Sequence, residues 1–260
     1  MNITLDLRAP AQATARHCGL DFEDLQPALR RAALATWRGR MMNEYGSCAV
    51  FEGLADQLEA AGGRASDVEI LKGFAQEERE HGVLCGAVVE ALGGAALGDQ
   101  PLPTADEMPA HAGLDPLEAV ARNIISVCCL SETVAVSLIT AERLGMPEGP
   151  LRRLLTRILS DEVGHGRFGW RWLAEHLPWM SAESRARLGE WLPMALRHLE
   201  AYEVAHLQPG PSLTDGHMLG LCDGEAAQAL FYDTVRTVIL PRLEALGLPP
   251  VNDWAEAPAC

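Results

Sequence analysis

The sequence predicts an all-α protein built on a four-helix bundle, and three observations predict it. Hydrophobic residues make up 48% of the chain while aromatics are only 5%, a balance rich in Ala and Leu that favours helices over packed strands. Apolar residues recur at steps of three and four along four long stretches. Short turns join the first stretch to the second and the third to the fourth, whereas residues 95–114 form a longer crossover between the second and third.

Residues 1–26 read as an irregular N-terminal arm. Pro27 suits the first turn of a helix, which continues to about Ala61 and stops at Gly62-Gly63. Ser66 is positioned to cap the second helix, with Glu69 three residues later completing a capping box, and Gly93-Gly94 ends it after Leu92. The crossover holds Pro101, Pro103 and Pro109. Asp115-Pro116 opens a third helix that runs to about Leu144. Gly145-Met146-Pro147 turns into a fourth over 149–177, which Pro178 ends. Ser181 and Ser184 open a fifth helix reaching Leu207, residues 208–221 form a loop, and a last helix covers 224–246 with Pro241 inside it. The expected organisation is one domain over 1–260. Residues 27–177 form its core and 178–260 a helical extension.

Two of the core stretches carry Glu-x-x-His, as Glu78-Arg79-Glu80-His81 and Glu162-Val163-Gly164-His165. Residues three apart share a helix face, so each motif aims a carboxylate and an imidazole at one point. The stripe Leu71, Phe74, Glu78, His81, Cys85, Val88, Leu92 puts the first pair in an apolar seam. The stripe Leu151, Leu155, Ile158, Glu162, His165, Gly169, Trp172 does the same for the second. Glu132 is a lone carboxylate on the stripe Ile125, Cys128, Glu132, Ala135, Ile139. On the first helix, Glu44 lies on the apolar stripe Trp37, Met41, Glu44, Cys48, Phe51, while Glu52 lies on a polar one and stands as the alternate. A single buried Glu or His is usually an ordinary core residue. Four carboxylates and two histidines on four seams are different, because such a set is very costly without a cation. It is the ligand set of a di-iron or di-manganese site in a bundle core. Asp161 and Glu77, next to the two motif glutamates, are candidates to hold a ligand imidazole in place from outside the metal.

The formal net charge of −15 argues against nucleic-acid and anionic-membrane partners, both of which attract Lys/Arg patches. Seven cysteines without a C-x-x-C pair argue against a zinc ribbon or a disulfide framework and suit reduced thiols in the cytoplasm. The N-terminal residues lack the pattern of a signal peptide, and no apolar run is expected to approach membrane-spanning length. Trp170, Trp172 and Trp179 read as core side chains. His198 and His206 on the fifth helix are alternates for an added ligand or a substrate contact, with helix packing the plainer reading. Gly164, Gly166 and Gly169 allow either room beside the metals or close helix packing.

On Glu44, Glu77-Glu78-Arg79-Glu80-His81, Glu132 and Asp161-Glu162-Val163-Gly164-His165, residues 27–177 resemble the ferritin-like di-iron carboxylate superfamily. That group spans ferritins, rubrerythrins, ribonucleotide reductase small subunits, multicomponent monooxygenases, aldehyde-deformylating oxygenases and arylamine N-oxygenases. The resemblance implies a ferritin-like four-helix bundle with two added C-terminal helices. The Asp-Glu-x-x-His form of the second motif is closer to the oxygenases and reductases than to ferritin. Cys85 stands where reductases carry a radical tyrosine four residues after the first ligand histidine, so a tyrosyl-radical role does not follow. The resemblance implies an O2-activating oxidase or oxygenase with two iron ions, or a Mn/Fe pair on the same ligands. It would act on a small organic substrate with an external electron donor. The alternative is a ferroxidase that handles iron without an organic substrate. Homodimerisation is left open.

Overall fold

The computed structural model describes residues 4–207 and 213–251. The start of the expected arm, residues 208–212 of the expected loop, and the end of the extension with Cys260 lie outside the described residues. In chain order the helices are α1 (Arg8–Cys18), α2 (Pro27–Ala60), α3 (Ala65–Ala91), α4 (Pro116–Ile124), α5 (Glu132–Gly145), α6 (Pro150–His176), α7 (Ala182–His206), α8 (Gly224–Thr234) and α9 (Leu240–Ala245). One pair of two-residue strands, β1 (Leu5–Asp6) and β2 (Leu97–Gly98), is antiparallel with Leu5 opposite Gly98. The chain divides into two compact units, Met1–Met108 with Glu142–Ile158 and Ser212–Leu221, and Pro109–Ala141 with Leu159–Pro211 and Cys222–Cys260.

In the first unit, α2 and α3 pack along their length. Pro27 starts α2, and Gly62 at φ 74° turns the chain into α3. The predicted stripes are buried: Trp37, Met41, Phe51 and Ala55 on α2, and Leu71, Cys85, Val88 and Leu92 on α3 or its cap. Close approach rests on small residues. A Cβ at Gly82 would lie 2.8 Å from the Tyr45 Cβ, and one at Gly46 would lie 3.1 Å from Pro103. The crossover is therefore laid on α2 rather than left loose. The arm is not irregular. Leu5 joins the strand pair, and α1 packs on α3 through buried Ala11 and Ala15, ending at Gly19 in the left-handed region. The expected capping box at Ser66 does not form. Helix α3 begins two residues earlier, after Arg64, whose guanidinium donates to the Asp67 carboxylate at 2.8 Å.

In the second unit, Asp115 caps α4 by accepting from the Leu117 and Glu118 amides. The third predicted helix is not uniform. Residues Ile125–Ser131 form a π-helical segment between α4 and α5. A second π segment, Val235–Ile239, joins α8 to α9 just before Pro241 and packs on the first. Ser181 caps α7 by accepting from the Ser184 amide at 3.0 Å. Glu118 is fully buried on α4. Arg187 of α7 grips it, with Nη2 at 2.6 Å and Nε at 3.0 Å from one oxygen, and Arg122 donates at 2.9 Å to the other. A buried carboxylate held by two guanidiniums ties α7 to the third helix without leaving an uncompensated charge.

Two expectations need correction. Trp179 is 85% exposed rather than core, because the 3-10 turn Leu177–Trp179 around Pro178 points it outward. The helical stretch Pro116–Gly145 is long and apolar enough, by length and composition, to cross a membrane. Its mean hydropathy reaches 1.9 over an 18-residue window, of which 44% is buried. Its apolar character was not evident as one run because Ser, Thr and Glu132 punctuate it.

Candidate metal centre

Within the first unit, Glu44 comes from the middle of α2, and Glu78 and His81 from the middle of α3. The 3.6-residue period puts the two α3 side chains on one face, the face that Gly82 lets settle against Tyr45. The His81 Nδ1 lies 3.4 Å from Glu44 Oε2 and 3.8 Å from Glu78 Oε2. Glu78 and His81 are buried and Glu44 nearly so. Met41 and Cys85 are fully buried on the same stripes. Burial pushes the Cys85 thiol well above its ordinary range, and Glu44 adds to the rise. The thiol thus stays neutral and is no ready nucleophile.

Within the second unit, Glu132 is the first residue after the π segment, and Glu162 and His165 share a face of α6. The His165 Nδ1 lies 3.1 Å from Glu162 Oε2, and all three residues are buried. The α6 glycines differ in use. Gly164 faces open space. A Cβ at Gly166 would be in ordinary contact with Glu132 Cβ at 3.8 Å. One at Gly169 would overlap the Cys128 Cβ and come 3.2 Å from the Cys129 sulfur. Gly169 therefore serves close helix packing. Burial raises the Cys129 thiol too.

Two groups of side chains, one within each unit, offer ligand atoms that lie within 4.8 Å of one another. In the first unit they are Glu44, Glu78 and His81, and in the second Glu132, Glu162 and His165. The other candidates are elsewhere. Glu52 is half-exposed and ion-paired with Arg79. Glu77 and Asp161 are half-buried beside the motif glutamates, outside both groups. His198 is exposed on α7. His206 is exposed too, its Nδ1 2.7 Å from the Tyr202 carbonyl and its ring 4.5 Å from the Tyr202 ring. A cavity of about 500 Å³ in the first unit is lined by residues 20–26, 146–152 and others, and none of the six lines it.

The donor set fits a pair of hard or borderline divalent ions. Carboxylate oxygens outnumber imidazole nitrogens two to one, no thiolate joins them, and this suits iron or manganese. Without cations, the two carboxylates of each group would repel one another and carry a large desolvation cost. Sequence reasoning missed two features next to Glu132. One is the π segment, whose residues show the same apolar spacing as an α-helix. The other is a hydrogen bond from Trp170 Nε1 to Thr133 Oγ1 at 3.0 Å, which nothing in the sequence marks.

No protein-family model and no curated protein matches the chain. Among solved structures it is similar to "Protein 19 with aldehyde deformylating oxidase activity from Synechococcus". The TM-score is 0.51 and the identity 19%, over 94% of this chain and 95% of that one. The likeness establishes the fold, an all-α ferritin-like bundle, and the two carboxylate and histidine groups are compatible with a di-iron site.

Proposed function

We propose that this protein is a non-haem di-iron oxidase or oxygenase that uses O2 on a small organic substrate. The observation that carries the reading is a triad of two carboxylates and one imidazole on apolar helix faces in each unit. Glu44, Glu78 and His81 would hold one ion and Glu132, Glu162 and His165 the other. A Mn/Fe pair would take the same ligands. When bound, the metal pair supplies the redox capacity to reduce O2. The chain's own contribution is to hold the ions and to keep water out with the buried Met41, Cys85 and Cys128 of the same helix stripes. Glu77 and Asp161 would accept hydrogen bonds from ligand imidazoles and fix their tautomers. The two electrons that accompany each O2 in an oxygenation come from an external donor. A reducing, cytoplasmic setting fits the free thiols. The formal charge of −15 supports a second reading, a ferroxidase that gathers Fe(II) by electrostatic attraction.

An anaerobic Fe(II) titration followed by O2 separates the two. Saturation at about two irons per chain, with a near-UV absorption change on oxygenation, is expected of the enzyme. Oxygen uptake should then be stimulated by members of a panel of aldehydes, arylamines and hydrocarbons in the presence of a chemical reductant. Iron uptake continuing far beyond two per chain would favour the ferroxidase, and failure to bind iron would overturn both.

A further inference from the structure

The hydrogen bond between Trp170 and Thr133 belongs to a relay that the ligand set alone does not require. Thr133 directly follows Glu132 and is buried with it. It is the second residue after the π segment, where the backbone leaves a wide helix for a normal one and the angular position of the next side chains is least determined by local bonding. The Ser137 hydroxyl donates to the Thr133 carbonyl at 3.1 Å, as a side chain on a regular α turn does. On α6, Trp170 follows Gly169, whose missing Cβ is what lets α6 lie against Cys128 and Cys129 of the π segment. The indole has one donor, and it is used on Thr133 Oγ1 at 3.0 Å. Over the ring sits the Arg242 guanidinium of α9, 5.5 Å from its centroid. The π segment that leads into α9 packs on the π segment that leads into Glu132.

Resting on the di-metal reading above, we propose that Arg242, Trp170 and Thr133 are positioning residues that fix the rotation of α5, and with it the Glu132 carboxylate. The C-terminal helices thereby acquire a role in the metal centre although they supply none of its six ligands. The cation stacked on the indole face holds the ring and polarises its N–H toward Thr133. The hydrogen bond then fixes the first turn of α5 at the point where the helix changes register.

The test uses the full-length protein and anaerobic Co(II) titration, read by visible d–d absorption, with Tm measured on the metal-free form. Thr133→Val removes the acceptor at nearly constant shape, Trp170→Phe removes the donor and keeps most of the ring, and Arg242→Gln removes the cation. The first two should weaken the second Co(II) equivalent about tenfold and alter its spectrum, while the first equivalent binds as in wild type. Thr133→Ser should restore both affinity and spectrum, which a role in packing alone would not produce. Arg242→Gln should give a smaller loss in the same equivalent. Where Thr133→Val fails to fold, Trp170→Phe and Arg242→Gln decide. Wild-type affinity and spectrum for both equivalents in the folded variants would overturn the assignment while leaving the di-metal reading intact. No Co(II) binding by the wild type would overturn the reading and the relay together.

Discussion

Glu44 and Glu52 lie on the same face-to-face helix pair and meet opposite surroundings. Glu44 points to His81 at 3.4 Å, whereas Glu52 pairs with Arg79 at a half-exposed position. The difference follows from neighbours that step with the helix: Met41 and Cys48 flank the first, Tyr45 and Asp56 the second. A similar contrast of environment governs Glu203 on α7. Burial pushes its carboxyl from 4.5 up to about 7, against a smaller pull down from His206. The folded state thus binds this proton more tightly than the unfolded one. The associated stability is present below about pH 4.5 and is lost as pH rises toward 7. Glu203→Gln should therefore be more stable than wild type at pH 8 by about 2 kcal/mol, allowing for partial exposure, and similar to it at pH 4.5. Urea unfolding at the two pH values checks this; an equal change at both would contradict it. Residue-level legibility was good where an ionisable group sits on an apolar stripe, since the period alone reveals the conflict. It was poor for Thr133 and Trp170, because a hydrogen bond between distant polar atoms leaves no periodic trace.

At the scale of elements, what could be read depended on whether local chemistry decides the structure. Pro27, Asp115 and Ser181 open helices in the way their side chains dictate, and Gly62 and Gly93 close them with positive φ. Ser66 fails as a cap because the chain is already helical from Ala65, and Asp67 satisfies Arg64 instead. Helix α1 lies in the stretch read as an irregular arm, and Pro10 in its first turn costs no helical hydrogen bond. Ala11 and Ala15, four apart, are what it buries against α3. The two π segments were illegible because one extra residue per turn leaves an apolar stretch apolar. Gly169 is the partner feature of the first of them. Gly169→Ala should destabilise the protein by about 2 kcal/mol, since the added methyl would overlap Cys128 and part α6 from the π segment. Gly164→Ala, which meets nothing within 4 Å, should be neutral or slightly stabilising through helix propensity. Thermal unfolding of both variants checks the pair; equal effects would contradict the packing role of Gly169.

For the molecule as a whole, composition and periodicity were enough to predict an all-α chain, since few aromatics and many Ala and Leu leave little for a sheet to use. They did not reveal that Pro116–Gly145 has the apolar content of a membrane span. A helix that must present apolar residues on several faces acquires that content whatever it packs against. Nor do they, or a 19% identical fold neighbour, specify the substrate, which depends on side chains lining a small volume rather than on the pattern that builds the helices. If the two groups of side chains each hold a metal ion, anomalous diffraction at the iron edge from crystals loaded with Fe(II) without oxygen should show two iron peaks per chain, one among Glu44, Glu78 and His81 and the other among Glu132, Glu162 and His165. Iron only at surface carboxylates, or none at all, would contradict that assignment.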